Sequence, residues 1–198
     1  MTKLKAERPA ELLDAAIDYV VQHGLGDVSL RPLAKSIGSS PRGLLYHFGS
    51  KAQLIAEVFA ELRRRQQLAL GTLPARGFTA DGWAAWKQMS APASLPYFRL
   101  LFEAFGIALR DPARHRVFLA AIVEDWVGAI AEPLRAGGIA PAAARVHATI
   151  VLAGLRGFML DYCTTGDGKR VDRAVKAFFA AIDPTAAASA SASAKVAS

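Results

Sequence analysis

The chain has 198 residues, of which 53% are hydrophobic, and its 24 Lys and Arg against 17 Asp and Glu give a formal net charge of +7. This apolar content, with three Trp and ten Phe, excludes wholesale disorder and supports a real core. The single cysteine, Cys163, excludes an intramolecular disulfide and a cysteine-cluster metal site. The positive charge favours an anionic partner without naming one.

Signals for export, membrane insertion and catalysis are weak. The N-terminal stretch is charged and helical rather than a signal peptide, and the best apolar run, 148–155, ends at Arg156, short of membrane length. There is no H-E-x-x-H, GxxxxGK or GxSxG motif, and the four histidines lack metal-ligand spacing. We therefore expect a cytoplasmic protein that is not an enzyme and has no cofactor, bound metal or membrane partner.

Residues 28–51 are the most informative stretch, because they are predicted to form two short helices joined by a tight turn. Ser29 is a good N-cap whose hydroxyl can accept a hydrogen bond from the opening turn. Gly38 ends that helix at a left-handed position, and Ser40-Pro41 starts the next one, with serine as cap and proline at the first helical position. So short a break leaves no room for antiparallel packing, which predicts a helix-turn-helix.

The second short helix would enter the DNA major groove with its N-terminal residues near the base edges. Arg42 can reach a guanine with its planar fork, and Gly43 lets the backbone approach closely. Tyr46 and His47 suit phosphate contact, as does Lys51 at the start of the following helix. The alternative is an ordinary helical hairpin on which Arg42 and Lys51 are merely solvated. The predicted DNA-binding residues are Ser29, Arg31, Ser40, Pro41, Arg42, Gly43, Tyr46, His47 and Lys51.

The basic excess is not concentrated in this part of the chain. Residues 1–66 hold 10 Lys and Arg against 7 Asp and Glu, and residues 67–198 hold 14 against 10. DNA affinity must then depend on the placement of a few cations. The densest cluster, Arg63-Arg64-Arg65, is equally consistent with a solvated helix face and with phosphate contact.

This segment and the helix predicted before it, Pro9–Gly24, resemble the DNA-binding domain of the TetR family of transcriptional regulators. The residues that carry the resemblance are Ala15-Ala16, Gly24, Val28–Arg31, Leu33-Ala34, Gly38, Ser40, Leu44 and Phe48–Leu54. One departure is Leu45, which stands where the family commonly has tyrosine, with Tyr46 following it. Adjacent helical residues point about 100° apart, so this shift bears on the phosphate role of Tyr46.

The remainder of the chain has helical periodicity and no strand pattern. The pattern predicts helices over 50–70, 81–89, 94–110, 111–135, 141–164 and 169–182, with a loop-rich seam over 71–82. The fold class is therefore all-α. We divide it into a three-helix helix-turn-helix DNA-binding domain over 1–50, a connecting helix over 51–70, a helical-bundle ligand-binding and dimerisation domain over 71–184, and a low-complexity, disordered tail over 185–198.

The last two predicted helices carry enough apolar surface to suggest self-association as a four-helix bundle around a two-fold axis. A dimer also suits a short recognition helix, because two copies can read a palindrome. The alternative is that these helices close a monomeric core. The resemblance to the TetR family likewise implies a homodimer contact at this place. The predicted dimer residues are Ile150, Gly154, Gly157, Phe158, Val175, Phe178 and Phe179.

Bulky side chains are frequent in the middle of the chain, where a DNA-binding protein does not need them. Helical bundles build ligand cavities from such side chains, although aromatics at helical spacing are more often core. The resemblance implies a small-molecule pocket here, whose ligand alters the spacing of the recognition helices. The candidate pocket residues are Trp83, Trp86, Phe98, Phe102, Phe105, Trp126, Phe158 and Tyr162.

The sequence thus predicts a homodimeric repressor that leaves its operator when a small hydrophobic effector binds. Its partners would be double-stranded DNA, a second copy of the chain and the effector. Two alternatives remain at this point: an all-helical small-molecule-binding protein or enzyme without DNA function, and an architectural DNA-binding protein that senses no ligand.

Overall fold

The computed structural model describes residues 9–25, 29–71, 77–113 and 115–183, and every regular element in these ranges is an α-helix. The predicted all-α class is confirmed. The predicted tail beyond Pro184 lies outside the described residues. In chain order the helices are α1 (Pro9–His23), α2 (Leu30–Ser36), α3 (Pro41–Phe48), α4 (Lys51–Gly71), α5 (Phe78–Met89), α6 (Leu95–Ala108), α7 (Arg116–Ala136), α8 (Pro141–Thr165) and α9 (Gly168–Ala181).

Two predicted helix starts are wrong, and each has a local cause. Helix α5 begins at Phe78 instead of Asp81, because Gly77 occupies the N-cap position and its carbonyl accepts a hydrogen bond from Asp81 N at 2.8 Å. Helix α7 begins at Arg116, and Asp111 does not cap it. The Asp111 N–H instead donates to the carbonyl of Ala108, which extends the last turn of α6.

The described residues group into two compact units: those within 1–69 and 96–118, and those within 70–95 and 119–183. Helix α6 therefore belongs to the same unit as α1 to α4. The division made from the sequence places α6 with the C-terminal helices instead, and as a division by function it stays a prediction.

The first unit has an apolar core to which each of its first four helices contributes. Its members include Leu12, Ala16, Ile17, Val20, Leu33, Ala34, Leu44, Phe48, Leu54, Val58 and Phe59, all buried. Helix α6 is tied to the end of α1 by Glu103, whose Oε2 accepts a hydrogen bond from Leu25 N at 2.9 Å. Phe59 meets Phe118 edge to face at 5.3 Å between ring centroids. Helix α2 packs against both α1 and α3.

The second unit is built on α8, which packs against α9, while α9 also packs against α5. Trp86 is fully buried, and its Nε1 donates to Asp172 at 2.7 Å. Helices α5 and α9 approach closely at Gly82, where a Cβ would lie 2.2 Å from the ring of Phe179. This close fit explains why a glycine stands inside α5.

Helix α8 is long and apolar enough, by length and composition alone, to cross a membrane. Its charged side chains instead engage the neighbouring helix α7. Arg156 donates to the carbonyl of Ile122 at 2.9 Å, and Arg145 pairs with Glu124 at 2.6 Å. A buried cluster of Val127, Ala131, Ala144, Ala148 and Leu152 lies between the same two helices. These contacts are those of a helix in a packed protein unit.

Candidate nucleic-acid interface

The turn between α2 and α3 has the geometry that the sequence predicts. Gly38 follows the end of α2 with φ +73°, which is a left-handed conformation. Ser39 N donates to Ala34 O at 2.8 Å and Gly38 N to Lys35 O at 3.4 Å, which is the Schellman pattern at a helix end. The helix therefore stops within one residue, and the chain is redirected at once.

Helix α3 starts as the sequence predicts. Ser40 has extended backbone angles of φ −120° and ψ 153°, and its Oγ accepts a hydrogen bond from Gly43 N at 3.0 Å. Pro41 occupies the first turn, where a missing N–H costs nothing. Together with the glycine turn, this cap sets the direction in which α3 leaves the domain core.

The cap predicted at Ser29 is wrong in one respect. Ser29 is the N-cap residue of α2, but its side chain makes no cap hydrogen bond. An N-cap hydroxyl usually accepts from the N–H of the third helical residue, which here is Pro32 and has none. The Ser29 carbonyl accepts from Leu33 N at 3.2 Å instead. The hydroxyl of this exposed residue is thus not committed to the helix.

Helix α3 has one buried and one exposed side. Leu44 and Phe48 are buried in the domain core. Arg42 lies on the opposite side with Leu45 and Tyr46, which are 41% and 83% exposed. Positions i, i+3 and i+4 share one face of a helix, so these three side chains form a single outward surface. The sequence reasoning included Arg42 and Tyr46 but missed Leu45; the buried pair Leu44 and Phe48, four residues apart, already indicates that Leu45 points away.

The start of α4 adds a second element to this surface. Gly49 has φ +73°, and Ser50 Oγ accepts a hydrogen bond from Gln53 N at 3.1 Å. Lys51 is exposed at the first position of α4. The first amides of a helix and its positive dipole end favour an anion, and the Lys51 ammonium adds to the same attraction.

The charge on this surface has one sign. From Ser29 to Ala56 the chain contains no Asp and no Glu, and its cations are Arg31, Lys35, Arg42 and Lys51, all exposed. The predicted contacts Pro41, Gly43 and His47 are partly exposed, and Tyr46 meets the ring of His47 edge to face at 5.2 Å. Four exposed cations without a nearby acidic residue along the sequence suit a polyanion such as the DNA backbone.

The arginine cluster of α4 has a different role. Arg64 donates to Glu61 at 2.7 Å and Arg65 donates to the same carboxylate at 2.8 Å, while Arg65 also pairs with Asp14 of α1. These hydrogen bonds lower the pKa of Glu61 from 4.5 to about 2. Both arginines are thus held by acidic groups of their own domain, which favours the structural interpretation over phosphate contact.

This geometry is that of a helix-turn-helix DNA-binding domain. The short helix α3 lies on a basic surface without acidic residues, and further helices follow this domain along the chain. Residues 12–58 match the family model described as bacterial regulatory proteins, tetR family. The resemblance to the TetR family inferred from the sequence is confirmed over this N-terminal domain.

One relative is similar in sequence, and two solved structures are similar in fold. The HTH-type transcriptional repressor AcnR of Corynebacterium jeikeium is 28% identical over 122 residues, which cover 57% of this chain and 65% of AcnR, slightly less than two thirds of its length. A transcriptional regulator from Rhodococcus sp. Rha1 has a similar fold, with a TM-score of 0.73 at 20% identity over 89% of this chain and 96% of its own. GusR of Salmonella enterica gives a TM-score of 0.69 at 18% identity over 92% and 99%.

The predicted pocket residues divide between the two units. Phe98, Phe102 and Phe105 lie in the first unit, whereas Trp83, Trp86, Trp126, Phe158 and Tyr162 lie in the second. Phe98 and Trp86 are buried, and the other six are half-buried. Trp83 is flanked by the ammonium groups of Lys87 and Lys176, at 5.5 and 4.4 Å from its ring centroid. Within the described ranges no three His, Cys, Asp or Glu side chains gather as a metal site.

The predicted dimer residues also fall into groups. Val175 and Phe179 are buried within their own chain, and a Cβ at Gly154 would lie 2.4 Å from the ring of Phe178. Phe158 and Phe178 are half-buried and meet edge to face at 5.4 Å. Ile150 and Gly157 are exposed, and they lie on one side of α8 with three further residues that are not among the predicted dimer residues. This exposed row, the α8 seam, consists of Val146, Ile150, Ala153, Gly157 and Leu160.

Proposed function

We propose that this chain is a homodimeric transcriptional repressor that binds a palindromic operator and is released by a small hydrophobic ligand. The observation that carries the proposal is the surface from Ser29 to Ala56, which has four exposed cations, no acidic residue and an outward-facing α3. The name of AcnR, a transcriptional repressor, supports the negative sign of regulation. No catalytic step forms part of this function, and a cytoplasmic location follows from contact with the chromosome.

The residues divide into two roles at the DNA. Arg42 lies in the first turn of α3 and contacts a guanine edge in the major groove, where its fork matches two acceptors. Ser29, Arg31, Tyr46, His47 and Lys51 surround it and hold phosphates, which sets the register without reading sequence. Gly43 supports this close approach, because it carries no side chain, and Ser40 and Pro41 fix the start of α3.

The second copy binds through the α8 seam. Val146 is 59% exposed and Leu160 is 50% exposed, although both are large apolar side chains. The seam residues follow one another at alternating steps of four and three, the spacing with which apolar side chains of paired helices interdigitate. Ala153 and Gly157 are small and let a second helix approach closely. A seam of this kind gains free energy only when another apolar surface covers it.

Helix α9 contributes to the dimer mainly by supporting α8. Its buried residues Val175 and Phe179 are covered within the chain, so we do not include them in the interface. Its outward side carries Lys169, Arg173 and Lys176, like charges that would repel their own copies across a two-fold axis. Phe158 and Phe178 remain candidates for the edge of the contact.

The effector part of the proposal is supported by aromatic side chains in the second unit that stay half-buried. Trp126, Phe158 and Tyr162 are of this kind. In the part of the chain that the structure describes, two buried polar atoms, Gln88 Oε1 and His147 Nδ1, have no hydrogen-bond partner. Binding sites for small molecules combine apolar walls with a few such polar groups.

The test of DNA binding uses the full chain and a pool of random duplexes. Selection should enrich an inverted repeat whose half-site centres lie about 10 base pairs, or a multiple of that, apart. Sedimentation of the complex should give two chains per operator or a multiple of two. Absence of an enriched sequence would overturn the proposal, and an enriched sequence without symmetry would overturn its dimeric part.

The test of effector control follows on the selected operator. Hydrophobic metabolites and drugs that raise the melting temperature of the chain are added to the protein–operator complex. A coupling free energy of about 1–3 kcal/mol should weaken operator binding by about 5- to 150-fold. Ligands that stabilise the chain but leave operator affinity unchanged would contradict release by effector and leave DNA binding intact.

A further inference from the structure

The side chain of Leu45 is not part of the apolar core. It is 41% exposed on the outward side of α3, whereas its neighbour Leu44 is 1% exposed and is part of the core. Single exposed leucines are common on proteins and need no explanation by themselves. This one lies on the exposed surface of α2, α3 and the start of α4, which we call the reading surface. The other exposed side chains of α3 are those of Arg42, one turn earlier, and Tyr46, the next residue.

We propose that Leu45 recognises the 5-methyl group of a thymine in the operator, an inference that rests on the proposed function. The thymine methyl is the apolar group that DNA bases present in the major groove; the other groups on these edges donate or accept hydrogen bonds. A leucine can satisfy none of those polar groups and would leave them without partners. The methyl group is therefore the match for a branched apolar side chain on this face.

The spacing on α3 also places the thymine relative to the base that Arg42 contacts. Three residues of α-helix rise about 4.5 Å along the axis. Successive bases of one DNA strand are about 3.4 Å apart. The thymine read by Leu45 should thus lie about one or two base pairs from the guanine read by Arg42. Together the two residues define a short guanine–thymine element in each half-site.

The experiment replaces single thymines of the selected operator by deoxyuridine, which removes the methyl group and leaves base pairing unchanged. The wild-type chain should lose about fourfold in affinity at one thymine of each half-site, the value expected for one buried methyl group. At that position Leu45→Ala should bind thymine and uridine duplexes equally. Leu45→Met, which keeps an apolar side chain of similar reach, should retain the preference for thymine.

Two control variants separate this contact from a general loss of binding. Lys51→Ala should weaken binding to all duplexes alike and keep the uridine penalty, because its phosphate contact does not depend on the base. Tyr46→Phe should keep the penalty as well, since it loses only a hydroxyl. Alanine is a good helix former and Leu45 is outside the core, so Leu45→Ala should fold; its binding is measured at low salt, where phosphate contacts raise every affinity.

The possible results distinguish this inference from the function on which it rests. A uridine penalty that persists in Leu45→Ala, or no penalty at any thymine of the wild-type operator, would overturn the role of Leu45 and leave operator binding in place. Failure of the wild-type chain to select any operator would overturn the proposed function itself. A penalty that is present in the wild type and in Leu45→Met but absent in Leu45→Ala establishes the thymine contact.

Discussion

The reading surface over α2, α3 and the start of α4 and the α8 seam are both exposed, but they expose opposite kinds of side chain. The reading surface carries Arg31, Lys35, Arg42 and Lys51 and has no acidic residue from Ser29 to Ala56. The α8 seam consists of apolar and small residues at helical spacing. The charged side chains of the reading surface are well solvated by water. Exposure of the apolar side chains of the α8 seam costs free energy, which is recovered only when another surface covers them.

This difference has a consequence for how each surface acts. A cation placed by a helix can attract phosphate whether or not another protein is present, so the reading surface is complete in one chain. An apolar seam gives binding free energy in proportion to the area that a second surface removes from water. In the proposed function, specific operator binding therefore depends on both surfaces: the reading surface contacts one half-site, and the α8 seam binds the second copy that contacts the other.

The largest effect is expected from a charge in the α8 seam. In Ile150→Arg the new cation lies in the proposed dimer contact, so forming that contact would also bury a charge. We expect monomers in sedimentation velocity and a loss of operator affinity of roughly 100-fold or more, because linked binding of two half-sites is lost. Val117→Arg is the matched control, since Val117 is 75% exposed, apolar and outside the seam. An unchanged dimer mass for Ile150→Arg would show that the seam is not the interface.

The next effect separates base contact from phosphate contact within the reading surface. Arg42→Ala should cost about 1–3 kcal/mol and relax the preference at one base pair, whereas Lys51→Ala should weaken all sequences alike and lower the salt slope by about one unit. Binding titrations on operator variants at several salt concentrations measure both quantities. Equal losses on every operator variant for both substitutions would mean that Arg42 contacts phosphate and reads no base.

The reading surface was largely predictable from the sequence because its determinants are local. Gly38, Ser40 and Pro41 each act on a neighbouring turn, and the structure has them in the predicted roles. The exception is Ser29, because the residue whose N–H would usually donate to its hydroxyl is Pro32, which has no N–H. Leu45 was named from the sequence only as a departure from the family's pattern and was not included among the DNA-binding residues.

The second unit was less predictable because its side chains are distributed by contacts between distant helices. Periodicity identifies Trp86, Val175 and Phe179 as apolar positions, but it does not distinguish the inside of one chain from an interface between two. The structure buries all three within the chain. Gly82 allows the close approach of α5 and α9 that covers Phe179, and no local pattern in the sequence reveals that pairing.

A smaller effect tests whether the turn geometry, rather than side-chain contact, orients α3. Gly38→Ala should lower the free energy of unfolding by about 1–2 kcal/mol and weaken DNA binding, because an L-residue is strained at φ +73°. Gly106→Ala in α6 is the control: a Cβ meets nothing within 4 Å at either position, and Gly106 is helical. That control should gain about 0.5–1 kcal/mol. Denaturant titration and operator binding check both variants; equal stability changes would remove backbone strain as the cause.

The smallest expected effect concerns the ion pairs that Glu61 makes with Arg64 and Arg65 within α4. Hydrogen bonds from Arg64 and Arg65 lower the pKa of Glu61 from 4.5 to about 2, so its ionised form is favoured by folding. The resulting stability is present above about pH 4.5 and is lost as pH falls towards 2. Unfolding of Glu61→Gln should therefore differ from the wild type by at most about 1 kcal/mol near neutral pH and converge with it in acid.

The control for this last variant is Glu57→Gln on the same helix. Within the described ranges Glu57 has no hydrogen bond from an arginine, so its replacement should change stability near neutral pH less than Glu61→Gln does. Operator affinity of Glu61→Gln at neutral pH gives a second readout. If releasing Arg64 and Arg65 from Glu61 strengthened DNA binding and increased its salt slope, these arginines would be phosphate contacts that the carboxylate restrains. An unchanged salt slope would mean that Arg64 and Arg65 do not contact phosphate and serve only the structure of the domain.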